Sequence, residues 1–235
     1  MDSTLPPPPI RQTAILRYCS TTADNGAGRK SLSIQNIHMR KLLKIMYLDD
    51  RQRTSALRSD IRDDIAREAG GGGAGGDFYG PFWRDAKDHV FNISDLQDQT
   101  QVRINDNPRR ARLYPLLRDG FLLWWEERRR WTNEPFRPAP ALRTTCRLPR
   151  VDAMLKVANI LAVRDGRDED HFVYPYWFDE PPLDDEPARL MLWALSLAFP
   201  NVDPNEFRIL DVMRGETYSV DLSCCRSHGH EVRLH

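Results

Sequence analysis

Residues 124–131 read WWEERRRW. They belong to a 29-residue stretch that holds Arg109, Arg110, Arg112, Arg118, Arg128, Arg129, Arg130 and Arg137, interleaved with Tyr114, Trp124, Trp125, Trp131 and Phe136. Arginines on phosphates and aromatic rings on bases are the chemistry of nucleic-acid binding. On that reading Arg109, Arg110, Arg112, Arg128, Arg129, Arg130 and Trp125 are the candidate contacts to a partner, protein or nucleic acid. Helical spacing offers a competing use for the same residues. Leu117, Phe121, Trp124 and Trp131 fall on one stripe, as a core face would, and Glu126 precedes Arg129 by three residues and Arg130 by four, within reach of local ion pairs.

Other groups of reactive side chains carry less. Asp85 and His89 are four apart on one helical face, where they could share a metal or a proton, but no second ligand pair stands nearby. Cys224, Cys225, His228 and His230 match no zinc-module spacing. Asp165, Asp168, Glu169 and Asp170 lack the residue order of a calcium loop and read as a solvated hairpin turn. The run Gly70 to Gly76 follows a helix and lacks the G-K-[ST] ending of a phosphate-binding loop, so it reads as a linker. No G-x-S-x-G is present, and no G-x-G-x-x-G follows a strand. The expectation is a non-catalytic protein without cofactor or metal.

The elements that would position these residues divide the chain. Residues 1–31 read as a flexible leader. Residues 32–131 read as a helical domain, helical from 33 onward except for the glycine-rich loop at 70–76. Its stripes are Ile37, Leu42, Ile45 and Met46; then Leu57, Ile61 and Ile65; then Phe82, Ala86 and Val90. Ser94 with Gln97 suggests a capping box, and the segment from Asn107 to Trp131 is expected to bend at Pro115 and Gly120. Four prolines in 132–150 mark a linker. Beyond it the period changes to two. Leu155 to Val163 reads as one strand and Phe172 to Phe178 as a second, an edge strand or one ending near Pro175. The apolar helix LMLWALSLAF and a strand at Phe207 to Val212 follow. The fold class is therefore α+β, with a mostly helical half (33–131), a small β-β-α-β domain (about 151–222) and a flexible tail (223–235).

That β-β-α-β order resembles the core of the PD-(D/E)xK nucleases, which implies metal-dependent phosphodiester cleavage as the alternative function. The resemblance covers about 70 residues of topology and none of the motif. Such a site needs an acid on one strand and Asp/Glu-x-Lys on the next. Here Glu169 and Asp170 are followed two residues on by His171 and Phe172, and Lys156, the only lysine after Lys87, precedes that strand.

Charge adds a constraint. Residues 107–150 hold 11 Lys+Arg against 4 Asp+Glu, a balance of +7, and residues 151–235 hold 8 against 16, a balance of −8. The acidic 151–235 segment is thus a candidate to dock on the basic 107–150 segment within the same chain. No apolar run reaches the length of a membrane span, the start MDSTLPPPPI lacks the pattern of a signal peptide, and the four cysteines form no C-x-x-C pair. The arginine bias is also what a GC-rich bacterial genome encodes. A soluble, cytoplasmic, bacterial interaction protein is the expectation.

Overall fold

The computed structural model describes residues 36–68, 78–147 and 154–220. The leader at 1–31, the glycine-rich loop at 70–76 and the tail at 223–235 lie outside the described residues. The fold is mixed α+β. The first part comprises β1 (Asn36–His38), α1 (Met39–Met46), α2 (Asp50–Glu68), α3 (Tyr79–Val90), α4 (Leu96–Asp106), a 3₁₀ turn at Pro108–Arg110, α5 (Tyr114–Leu122) and a π-helical segment at Leu123–Arg128. Then come β2 (Arg137–Pro138), β3 (Thr144–Arg147), β4 (Met154–Val157), β5 (Leu161–Arg164), β6 (Asp170–Tyr176), α6 (Asp185–Ala198), β7 (Phe207–Asp211) and β8 (Glu216–Tyr218).

Five strands form one sheet in the order β2-β5-β6-β7-β8. β5 and β6 are an antiparallel pair, as are β7 and β8, while β6 and β7 run parallel and are joined through α6. Alternation along the central strands sends side chains to two cores. Phe172, Tyr174 and Tyr176 of β6, with Phe207 and Ile209 of β7, meet α6, α1 and the smaller sheet. Val173 and Leu210, with Leu161 and Val163 of β5, meet Phe82, Trp83 and Ala86 of α3 and Leu117 and Phe121 of α5. Residues of the helical half and of the sheet thus share both cores, and the interior strands are buried on both faces.

Three sequence expectations are corrected. Residues 33–131 are not all helical, because Asn36–His38 forms β1, a parallel partner of β4 in a three-stranded sheet ordered β1-β4-β3. Three residues carry no readable period; Ile37, 2% exposed, is held by its pairing with Leu155. The single strand expected over Leu155 to Val163 is two strands in two different sheets. Asn159 between them has a φ of 66°, in the left-handed region that ends an extended run. Finally, of the two alternatives for the Phe172 to Phe178 strand, the edge is corrected and the early end holds: β6 is an interior strand, and it ends at Tyr176, one residue past Pro175. Pairing with β5 stops at Leu161↔Val173, so Pro175 lies beyond β5 and its missing N–H interrupts no ladder on that flank.

Smaller adjustments follow from local chemistry. Asp95, not Ser94, caps α4 by accepting the N–H of Asp98. Pro115 sits in the first turn of α5, where no helical donor is needed, and does not bend it. Gly120 permits a close approach: a β-carbon there would stand 2.1 Å from the carbonyl oxygen of Val212. The 132–150 segment supplies β2, paired with β5, and β3, paired with β4. Among the described residues no helix is long and apolar enough to cross a membrane.

Candidate functional site

The WWEERRRW octet begins inside α5 packing. Leu117, Phe121 and Trp124 continue the apolar stripe into the core, each no more than 1% exposed. At Leu123 the helix widens to a π turn, in which the N–H of Arg129 donates to Trp124 at 2.8 Å, five residues back. The wider turn places Trp124 and Trp125 together in the core, and Arg129 leaves the helix with an extended backbone. The chain then brings Trp131 back into the same aromatic cluster, 5.6 Å from Trp125 and 5.5 Å from Phe136.

Arg129 fills the space these rings enclose. Its guanidinium carbon lies 3.7 Å from the Trp125 ring centre, 4.3 Å from Phe136 and 5.1 Å from Trp131. Burial lowers its affinity for the proton, partly opposed by the charge of Glu134. Nε and Nη1 are buried and have no hydrogen-bond partner. The ring faces stand in for one, through cation–π attraction. The local pairs expected from Glu126 are absent: among the described residues Glu126 makes no ion pair with Arg129 or Arg130.

Trp131 also stacks on His171 of β6, with ring centroids 4.3 Å apart and planes within 9°. Behind His171 stands Asp165, fully buried at the end of β5. Oδ1 of Asp165 accepts the N–H groups of Arg167 and Glu169 at 2.8 and 3.1 Å. Oδ2 accepts Asn133 Nδ2 at 3.1 Å and faces His171 Nε2 at 3.4 Å. Burial alone would raise this carboxyl; the four hydrogen bonds outweigh it and hold it at about 2. His171 is pushed below its ordinary value by burial, against the pull of Asp165. Its Nδ1 is buried and unpartnered. Asp165, Glu169 and His171 each place one ligand atom within 4.8 Å of the others. The fit to a cation is incomplete, because Asp165 already spends both oxygens on four partners.

The remaining acids of this turn diverge. Asp168 pairs with Arg137 at 2.6 Å, and Asp170 takes a two-pronged contact from Arg164 at 2.7 and 2.9 Å. Lys156 lies on β4, in the other sheet. Asp85 and His89 do not share a ligand: Asp85 holds Arg103 through two 2.8 Å bonds, and His89 Nδ1 accepts the Leu96 N–H at 3.2 Å. The carboxyl ends of parallel strands are the usual ligand crevice of such sheets. Here that end is filled by the protein itself. Asp211 accepts Leu183 N–H and Arg214, while Tyr176 and Tyr218 donate to the carbonyls of Pro181 and Leu183.

The candidate contacts separate into two groups. Trp125 is 9% exposed and belongs to the core. Arg110 lies over Tyr114 at 5.3 Å and donates to the Arg103 carbonyl, Arg128 donates to the carbonyls of Arg214 and Gly215, and Arg129 is caged. Arg109, Arg112 and Arg130 are exposed, and their guanidinium groups have no hydrogen bond or ion pair among the described residues. Between the basic and acidic segments, direct side-chain contact comes from Arg137 to Asp168, Asn133 to Asp165 and Trp131 to His171. Asn133 was missed in the sequence, where nothing distinguishes it. Compared with known proteins, the chain matches no family model, no curated protein and no solved structure.

Proposed function

We propose that this is a non-catalytic interaction or accessory protein of a bacterial cytoplasm, meeting an anionic partner, protein or nucleic acid, through Arg109, Arg112 and Arg130. The observation that carries the reading is the division among the arginines. Those next to aromatic rings or carbonyls are consumed by the fold, and three remain with solvated, unpaired heads. Base stacking on Trp125 is not part of the reading, since that ring is core. The test is retention on a heparin matrix and binding to nucleic-acid and acidic-peptide probes, before and after R109E/R112E/R130E. The triple variant should elute at clearly lower salt; unchanged retention would sink the reading.

A second reading, a divergent metal-dependent nuclease on the C-terminal sheet, has one observation in its favour: the convergence of Asp165, Glu169 and His171 at the β5–β6 turn. Its test is cleavage of DNA or RNA with Mg²⁺ or Mn²⁺, lost in Asp165→Asn. Absence of cleavage by the wild-type chain ends it.

A further inference from the structure

A second cationic surface lies on α2, away from the octet. Arg51, Ser55, Arg58 and Arg62 advance by four, three and four residues, close to one turn each, so they form a single line along the helix. With Thr54 they share one outward surface of the helix. All five are exposed. Arg51, Arg58 and Arg62 make no ion pair or hydrogen bond among the described residues. The opposite side is tied down. Arg53 donates to the carbonyls of Ile45 and Leu48, and Leu57 packs on the core cluster beneath.

The outward line spans about 16 Å at 1.5 Å per residue, a length along which duplex nucleic acid carries several phosphates. Its residues are guanidinium and hydroxyl groups, the side chains that contact phosphate oxygens. It contains no aliphatic or aromatic anchor of the kind around which protein interfaces are organised. It has no ring on which an unpaired base could stack, and no apolar residue to enter a lipid surface.

We infer that the Arg51–Arg58–Arg62 line of α2 is a sequence-independent contact to the phosphate backbone of duplex nucleic acid. The inference is independent of the reading assigned to Arg109, Arg112 and Arg130.

The test uses the full chain and a labelled mixed-sequence duplex, followed by anisotropy over about 50 to 300 mM salt. Single strand, polyglutamate and anionic lipid vesicles serve as competitors. Changing the line to glutamine (R51Q/R58Q/R62Q) should weaken duplex binding about tenfold or more, and make the log–log salt slope shallower by about 2 to 3, some 0.9 for each lost contact. The lysine version, R51K/R58K/R62K, should keep most of the slope. Far-UV circular dichroism and melting confirm that each variant folds, as expected for exposed positions. Unchanged binding by the folded glutamine variant overturns the inference. So does competition by polyglutamate or vesicles equal to that of duplex. Running R109E/R112E/R130E beside it separates the two proposals: loss there alone overturns the α2 contact, and loss in the α2 variant alone supports it while removing duplex as the partner of the other three arginines.

Discussion

Trp131 lies flat on His171, so the last residue of the aromatic–arginine octet caps the only histidine buried in the five-stranded sheet among the described residues. Burial pushes the His171 pKa below the value it has in the unfolded chain, so the unfolded state binds the proton more readily. Stability from this group is therefore complete above about pH 6.5 and is lost as pH falls below it. Melting temperature measured across pH 8 to 5 should decline in that window. His171→Phe, which keeps a stacked ring, should flatten it.

Asp165 acts in a lower window. Its carboxyl, at about 2 in the fold, lies below the unfolded value of 3.8. Its stabilisation is present above that unfolded value and is lost as pH falls towards 2. Asp165→Asn should remove this acid limb of the stability profile while destabilising the protein at neutral pH by about 1 to 3 kcal/mol, the cost of mismatched donors in a buried site. An unchanged acid limb would contradict the four-bond geometry.

Arg129 has an unusual position: three rings hold its guanidinium and two nitrogens have no acceptor. Arg129→Met should cost under about 1 kcal/mol in chemical denaturation, because lost cation–π attraction is offset by removal of buried unpaired donors. Arg129→Ala should cost about 2 kcal/mol by leaving the cage empty. Neither change should alter binding to an anionic partner, and a large binding defect in Arg129→Met would show that the cage opens.

Gly120→Ala separates helix propensity from packing. In a free helix the change would favour folding by about 1 kcal/mol. Here the new methyl would stand 2.1 Å from the Val212 carbonyl and 2.6 Å from that of Met213. Backbone cannot yield as a side chain can, so a net loss of about 2 kcal/mol or more is expected in thermal melts. A neutral or stabilising result would mean that α5 and the β7–β8 turn are further apart.

How much was legible follows from the range of each interaction. The change of period from 3.6 to 2 marked the mixed α+β class, and the apolar run in α6 marked that helix because its own residues supply the pattern. The break at Asn159 had a signal that was passed over: it is the polar residue on the face otherwise made by Leu155, Val157, Leu161 and Val163, and asparagine tolerates the left-handed region. β1 was invisible: three residues become a strand only when β4 lies beside them. In the octet, the burial of Trp124 could be read from helical spacing; Trp131 is buried too, but from beyond the end of the helix, where the stripe does not reach. The cage around Arg129 could not be read, because it depends on a π turn and on Phe136, seven residues further on. The sorting of arginines into spent and free was equally hidden, as it is decided by carbonyls of Arg103, Arg214 and Gly215 that no local pattern connects to them.

The pairing of Ile37 with Leu155 has a consequence for the order of events during synthesis. The helical half leaves the ribosome first, yet Ile37, Phe82 and Phe121 find their covering strands only after β4 to β7 have emerged. Until then the nascent chain presents a large apolar surface with nothing to close it, and the long separation between partners slows the closing. Slow renaturation from denaturant, compared with a helical protein of equal size, is therefore the expected outcome of the way the two cores are shared.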